Sequence, residues 1–243
     1  MMDKNTNMLV FSGHSADFVW RSGGVIAKYI KHGANVTVVV LSYGVRGESN
    51  DLWKIEGQTA ENVKKMRSAE VGKAAKILGI KNIEFWDFED YPMVFTAEKI
   101  DRMVRKIREV NPDIILTHAP KDSFNPDHEN ISKYVHQASV MATSAGVKIE
   151  GLKHTTQMKI FGFEPHQTEI SEFMPNTIID ITECIEEKKA AMNCFTAQKH
   201  LIEYYTNRAG MRGNHARRIS GVQDYKFAES FMRLYPYVGG EFV

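Results

Sequence analysis

The sequence predicts an α/β fold with a mostly parallel central sheet and helices on both faces. Three largely apolar runs, at 8–12, 36–41 and 113–117, are rich in Val, Ile and Leu, as strands buried on both faces are. Stretches of helical period separate these runs, and strands that alternate with helices form parallel sheets through right-handed crossovers. The expected architecture is therefore a three-layer, Rossmann-like fold.

The other elements of the first half follow from periodicity and from stop signals. They are, in order, a helix over 21–32, a helix over 59–78, a strand over 83–88 and a helix from Thr96 that Pro112 closes. Gly33 and Gly79 end the first two helices. Strands and helices are thus predicted to alternate regularly up to residue 117.

The second half is predicted as a helix over about 127–145, a strand over 159–163, and amphipathic helices over 182–206 and 223–234. Between the last two lies a segment with four arginines, no acidic residue and several glycines. We expect one domain over residues 1–243, with 206–221 as a basic loop or lid.

Composition favours a small ligand. Lys and Arg number 31 against 30 Asp and Glu, giving a net charge of +1, so the overall charge does not favour nucleic acid or an anionic membrane as a partner. The polar segment 1–7 leaves no room for a signal peptide, and no apolar run approaches the length of a membrane span. We therefore expect a cytoplasmic protein.

Two polar clusters lie at the carboxyl ends of two predicted strands, where open α/β sheets bind ligands. They are His14-Ser15-Ala16-Asp17 after the first strand and Asn125-Pro126-Asp127-His128 after the strand over 113–117. Two imidazoles and one carboxylate, with a coordination position left open, are what a catalytic zinc requires. We predict zinc ligands at His14, Asp17 and His128, although Asp17 alone is equally compatible with a helix cap.

These clusters resemble the two metal motifs of the PIG-L/LmbE-like zinc proteins. Gly13-His14-Ser15-Ala16-Asp17 is similar to their His-Pro-Asp-Asp element, and 125–128 is similar to their His-Pro-Asp-His element. Met66-Arg67-Ser68-Ala69-Glu70 extends the resemblance to the second helix. The resemblance implies a zinc-dependent N-deacetylase or amidase and matches His14, Asp17 and His128 to the zinc ligands.

Two positions depart from that family pattern. Ala16 stands where the deacetylases carry the aspartate that acts as general base, and Asn125 stands where they carry a histidine that stabilises the oxyanion. The loss of a general base costs on the order of 10² to 10⁴ in rate. We therefore do not expect amide hydrolysis by the usual route.

Longer strings resemble one branch of the family, the 4-oxalomesaconate hydratases of gallate catabolism. They are 14–21, 42–49, 163–169 and 180–182. This resemblance implies a homo-oligomeric hydro-lyase that uses zinc as a Lewis acid to add water to an unsaturated oxo-tricarboxylate.

For that reaction we predict Glu48 and His166 as the acid/base pair, because hydration needs one group to activate water and another to protonate carbon. The predicted substrate-binding residues are Arg46, Arg67, Asn125 and Arg212. Two alternatives stay open: a zinc N-deacetylase or amidase with Glu48 as a relocated base, and a non-catalytic metal-binding module.

Overall fold

The predicted α/β fold is confirmed by a computed structural model that describes residues 6–241. Over that range the strands form one seven-stranded sheet in the order β3-β2-β1-β4-β5-β7-β6. Its strands are β1 (Asn7–Ser12), β2 (Asn35–Val40), β3 (Asn82–Phe85), β4 (Ile114–His118), β5 (Lys159–Phe163), β6 (Thr177–Asp180) and β7 (Ala228–Arg233). Neighbouring strands from β3 to β5 are parallel, whereas β7 is antiparallel to both β5 and β6.

Helices cover both faces of the sheet, as the three-layer prediction requires. They are α1 (Asp17–Lys31), α2 (Asn50–Trp53), α3 (Ala60–Leu78), α4 (Ala97–Val110), α5 (Pro126–Thr143), α6 (Ile185–Met192) and α7 (Leu201–Ser220). One apolar core contains residues of α1, α3, α6 and α7, and the other contains residues of α4 and α5. None of the helices between residues 6 and 241 is both long and apolar enough to cross a membrane.

The basic loop predicted over 206–221 is wrong, because this segment belongs to helix α7. Tyr205, Ala209, Arg212 and Ala216 are buried along one side of the helix. At Gly213 a Cβ atom would lie 2.1 Å from the carbonyl oxygen of Lys226, so this glycine permits close packing instead of movement. The arginines and glycines of the segment interrupt the apolar spacing from which a helix is predicted.

The predicted helix over 223–234 is also wrong, since residues 228–233 form β7. Pairing with β5 on one side and β6 on the other overrides the helical spacing of the apolar residues. The predicted helix over 182–206 is broken after Met192 and resumes as α7 at Leu201. Residues 1–5 lie outside the described range, so the expectation drawn from the amino terminus stays a prediction.

Candidate metal centre

The candidate site lies at the point where the strand order of the sheet reverses, next to β1. Strand β1 is flanked by β2 on one side and by β4 on the other. The segments that follow these three strands meet at their carboxyl ends and carry His14, Glu48 and His128, respectively. This is the crevice in which open α/β sheets bind their ligands.

His14, Asp17 and His128 lie together as predicted, and all three are buried. The Nδ1 atom of His14 lies 3.2 Å from Nε2 of His128. Asp17 Oδ2 lies 3.3 Å from each of these nitrogens. Zinc bonds of about 2.0–2.1 Å in a tetrahedron separate the ligand atoms by about 3.3–3.4 Å. The donor set therefore fits one small tetrahedral cation.

Glu48 lies beside these three ligands. One of its oxygens is 3.6 Å from His14 Nδ1. One ligand atom from each of the four residues lies within 4.8 Å of the others. The predicted acid/base residue therefore lies at the edge of the metal centre.

The charges of the cluster favour a bound cation. Burial by itself would raise the pKa of Asp17, yet His128, His118 and His14 hold it well below its usual range. Burial would likewise lower the pKa of His14, but Asp127, Asp17 and Glu48 raise it well above the usual value. In the absence of metal the carboxylates therefore attract a proton to His14, and metal binding would release that proton.

Asp122 orients His128 and was missed by the sequence analysis. Its carboxylate lies 2.9 Å from Nδ1 of His128, so a proton on that nitrogen leaves Nε2 free for the metal. Despite burial, His128 and Arg21 lower the pKa of Asp122 and keep it ionised. The signal that could have indicated Asp122 is an acidic residue in the loop directly before the second polar cluster.

His118 packs behind the same ligand and was also missed. Its ring stacks on His128 with centroids 3.8 Å apart, and its Nε2 accepts a 3.0 Å hydrogen bond from Gly13 N–H. A Cβ atom on Gly13 would lie 2.6 Å from Ile131 and 2.9 Å from His118, so only glycine permits this approach. Gly13 therefore allows the first motif to pack tightly against the strand that precedes the second.

The loop after β2 holds Glu48 in place. Gly44 adopts a φ of +68°, which reverses the chain. The carboxylate of Asp90 accepts hydrogen bonds from the N–H groups of Arg46 and Gly47, at 2.9 and 2.7 Å. Ser49 Oγ closes the turn by donating to the carbonyl of Gly44 at 2.7 Å. The backbone on both sides of Glu48 is therefore fixed.

Both oxygens of Glu48 accept a hydrogen bond from an amide. Asn125 Nδ2 donates to Oε1 at 3.1 Å, and Gln198 Nε2 donates to Oε2 at 2.7 Å. The side-chain oxygen of Asn125 also caps α5 by accepting from Asp127 N–H. Asn125 therefore lies in the site as predicted, whereas Gln198 was not identified from the sequence.

A cavity of about 240 Å³ opens over this centre. His166 forms part of its wall, and its ring lies 4.4 Å from that of Tyr204. Burial, Arg21 and Arg208 lower the pKa of His166 to about 4, so the imidazole is neutral at pH 7 and can accept a proton. The predicted acid/base pair thus faces one cavity.

The predicted arginine clamps do not line this cavity among the described residues. Arg67 is fully buried and hydrogen-bonded to Glu70 and Gln198. Arg212 is buried against the carboxylate of Glu164, with one hydrogen bond of 3.0 Å. Arg46 is exposed. For Arg67 and Arg212 the prediction of direct substrate contact is corrected, because their charges are already paired inside the protein.

Arg21 is the arginine that reaches the cavity, and the sequence analysis did not single it out. Its Nη1 donates to the carbonyl of Glu164 at 2.9 Å, and its Nη2 lies 3.5 Å from Asp122. The side chain extends from α1 one turn after Asp17, which explains why both reach the same centre.

The chain is similar to known proteins over most of its length. The family model for GlcNAc-PI de-N-acetylase, PIG-L, matches residues 9–139. The chain is 40% identical to a 4-oxalmesaconate hydratase of Pseudomonas putida over 95% of this chain and 90% of that protein. The crystal structure of GalB, the 4-carboxy-2-hydroxymuconate hydratase of Pseudomonas putida, superimposes with a TM-score of 0.94 at 39% identity, covering 98% of this chain and 100% of that one.

The chain is also similar, at lower sequence identity, to deacetylases. A probable N-acetyl-alpha-D-glucosaminyl L-malate deacetylase of Bacillus anthracis is 23% identical over 97% of this chain and 98% of its own length. The shared fold therefore occurs in proteins named for two different reactions.

Proposed function

This chain belongs to the PIG-L family, and we propose that within it the protein is a zinc-dependent hydratase of an unsaturated oxo-tricarboxylate, similar to 4-oxalmesaconate hydratase. One observation carries the proposal: the three metal ligands are kept while Ala16 replaces the usual general base, and Glu48 brings another carboxylate to the same centre. The relative at 40% identity supports hydration as the reaction.

His14, Asp17 and His128 would hold the zinc ion. When bound, zinc supplies Lewis-acid stabilisation of the negative charge that develops on an oxo-acid as water adds to its conjugated double bond. His128 is oriented for this by Asp122, and Asp17 stays ionised among its histidine neighbours.

Glu48 and His166 carry out the two proton transfers of the reaction. Water gives one proton to a base as its oxygen bonds to carbon, and an acid gives one proton to the adjacent carbon. Two amide donors hold the side chain of Glu48 in place, and His166 is a neutral ring before substrate binds. The negative charge of a bound polycarboxylate raises the pKa of a nearby histidine, so His166 takes up a proton from solvent. One member of the pair is then protonated and can give a proton to carbon, while the other accepts the proton of water.

The charges around the cavity make the binding of a polyanion depend on the metal. Four carboxylates, Asp17, Glu48, Asp51 and Asp122, line it with the guanidinium of Arg21. A bound divalent cation would offset these negative charges, and Arg21 would then be the cationic side chain available to a carboxylate of the substrate.

The proposal is tested by metal analysis together with an ultraviolet assay of the conjugated oxo-tricarboxylate. Hydration removes the conjugation, so absorbance falls on addition of the zinc-loaded protein. Glu48→Gln is expected to lower kcat by about 10² to 10⁴ without loss of zinc. Turnover of an N-acetyl sugar with no loss of the ultraviolet absorbance would instead support the deacetylase alternative.

A further inference from the structure

Gln198 is the described residue outside the family motifs that touches Glu48 most closely. It lies in a short turn of 3-10 helix, Thr196–Gln198, between α6 and α7, and only 7% of its surface is exposed. Its Nε2 donates the 2.7 Å hydrogen bond to Oε2 of Glu48. The contact joins residues far apart in the sequence, which is why no spacing pattern indicated it.

The orientation of the Gln198 amide is fixed by two groups that can only donate. Arg67 Nη2 donates to its Oε1 at 3.1 Å, and the indole N–H of Trp20 approaches the same oxygen at 3.4 Å. Because Arg and Trp side chains have no acceptor, the amide oxygen must face them. The amide nitrogen is thereby directed to Glu48.

Arg67 is itself held firmly. Its Nη1 donates to Oε2 of Glu70 at 2.9 Å. The other Glu70 oxygen accepts hydrogen bonds from the N–H and the hydroxyl of Thr196, at 2.8 and 2.5 Å. Helix α3 therefore holds the Thr196–Gln198 turn at both ends, through Thr196 and through Gln198.

A carboxylate with a single anchor could rotate about its terminal torsion, which has a broad energy minimum. Glu48 is anchored at both oxygens, because Asn125 holds Oε1 and Gln198 holds Oε2. We propose that Gln198 is a positioning residue of the reaction: oriented by Arg67 and Trp20, it holds the Glu48 carboxylate in the geometry for proton transfer. This inference rests on the role proposed above for Glu48.

The experiment compares Gln198→Met with the wild type in the zinc-loaded protein. Methionine keeps the length of the side chain and removes both the donor to Glu48 and the oxygen that accepts from Arg67 and Trp20. The expected result is a fall in kcat of roughly 10- to 100-fold, with KM changed by less than about threefold and an unchanged zinc content. The matched control is Gln137→Met, at an exposed position of α5 that contacts no part of the site.

The Glu48→Ala background distinguishes positioning from direct action. If Gln198 works through Glu48, then Gln198→Met causes no further loss in the Glu48→Ala protein. An equal fold loss in both backgrounds, or a loss confined to KM, would overturn the proposal in favour of direct substrate contact.

A nuclear magnetic resonance measurement keeps this test independent of activity. The side-chain amide signals of Gln198 are expected to move on Glu48→Ala and on Arg67→Met, but not on Gln137→Met. Unmoved signals in both site variants would overturn the proposal even in an active enzyme. A wild type that does not hydrate the oxo-tricarboxylate would refute the proposed function alone, since the amide signals still report whether Gln198 holds Glu48.

Discussion

Asn125 Nδ2 lies 3.1 Å from Oε1 of Glu48, so the residue that replaces a family histidine contacts the carboxylate that lies beside the metal ligands. Ala16 stands where the family resemblance implies a general base, Glu48 lies in the loop after β2 as the base that we propose, and Asn125 provides a neutral donor to it. The amide of Asn125 therefore holds the carboxylate that we propose as the relocated base.

Replacement of Asn125 separates its two roles. Asn125→Asp keeps a helix cap but removes the donor to Glu48 and adds a repelling charge, so we expect a large fall in kcat while the cap of α5 is retained. Asn125→Ala removes the cap as well and is expected to lower the free energy of unfolding by about 1 kcal/mol. Steady-state kinetics and thermal melts of both variants test this. Full activity of Asn125→Asp would contradict the role assigned to the amide.

Loss of Asp122 is expected to weaken metal binding. Without its carboxylate, His128 loses the acceptor that fixes the orientation and tautomer of the ring. Asp122→Ala should lower zinc affinity by roughly 10- to 100-fold. Competition with a chelator of known affinity measures this, with the exposed Asp224→Ala as control. Equal zinc affinities in the two variants would argue against the orienting role.

Much of the parallel part of the fold could be predicted, because buried parallel strands are apolar runs and their helices carry clear stop signals. The strand prediction at 159–163 agrees with β5 at Lys159–Phe163. Strand β7 could not be predicted, since its apolar spacing also fits a helix and its two antiparallel partners decide the outcome. Helix α7 was obscured by Gly213, which its close packing against Lys226 requires.

The cluster of His14, Asp17 and His128 could be predicted from two motifs, whereas the residues that contact it could not. Asp122, His118 and Gln198 stand outside those motifs and reach the site through loop and crossover geometry. Two arginines were predicted to bind substrate but are not available to it. Arg67 and Arg212 carry the charge that a carboxylate substrate needs, but Glu70 and Glu164 already pair with them. Sequence alone does not distinguish a paired arginine from a free one.

Removal of the metal should abolish binding of a polyanion. Four carboxylates then face the ligand, and Arg21 alone does not outweigh them. Calorimetric titration with a saturated, non-reacting tricarboxylate is expected to show binding to the zinc-loaded protein and none to the chelated protein. Restoration by added zinc excludes damage by the chelator. Equal affinity with and without zinc would show that the cation does not attract the substrate.

Arg212→Ala is expected to destabilise the protein. The variant leaves Glu164 buried among Ser230, Thr168 and the remaining arginines without its main partner. Removal of one member of a buried ion pair costs about 3–5 kcal/mol, which denaturant unfolding can measure. The double variant Arg212→Met with Glu164→Gln should recover part of this loss, because no unpaired charge then remains. A loss below about 1 kcal/mol in the single variant would contradict the structural role.

His166 should make the folded protein sensitive to acid. Its pKa is lowered from 6.5 to about 4 by burial and by Arg21 and Arg208, so between these pH values the unfolded chain binds a proton that the folded chain does not. The free energy of unfolding therefore falls as the pH drops from 6.5 towards 4. His166→Asn removes this term, so between pH 7 and pH 5 the variant should lose about 1 kcal/mol less than the wild type, after allowance for solvent screening. Denaturant unfolding at the two pH values measures the difference, with His154→Asn as the control at an exposed position. Identical acid sensitivity of the wild type and His166→Asn would show that the ring is not held neutral in the folded site.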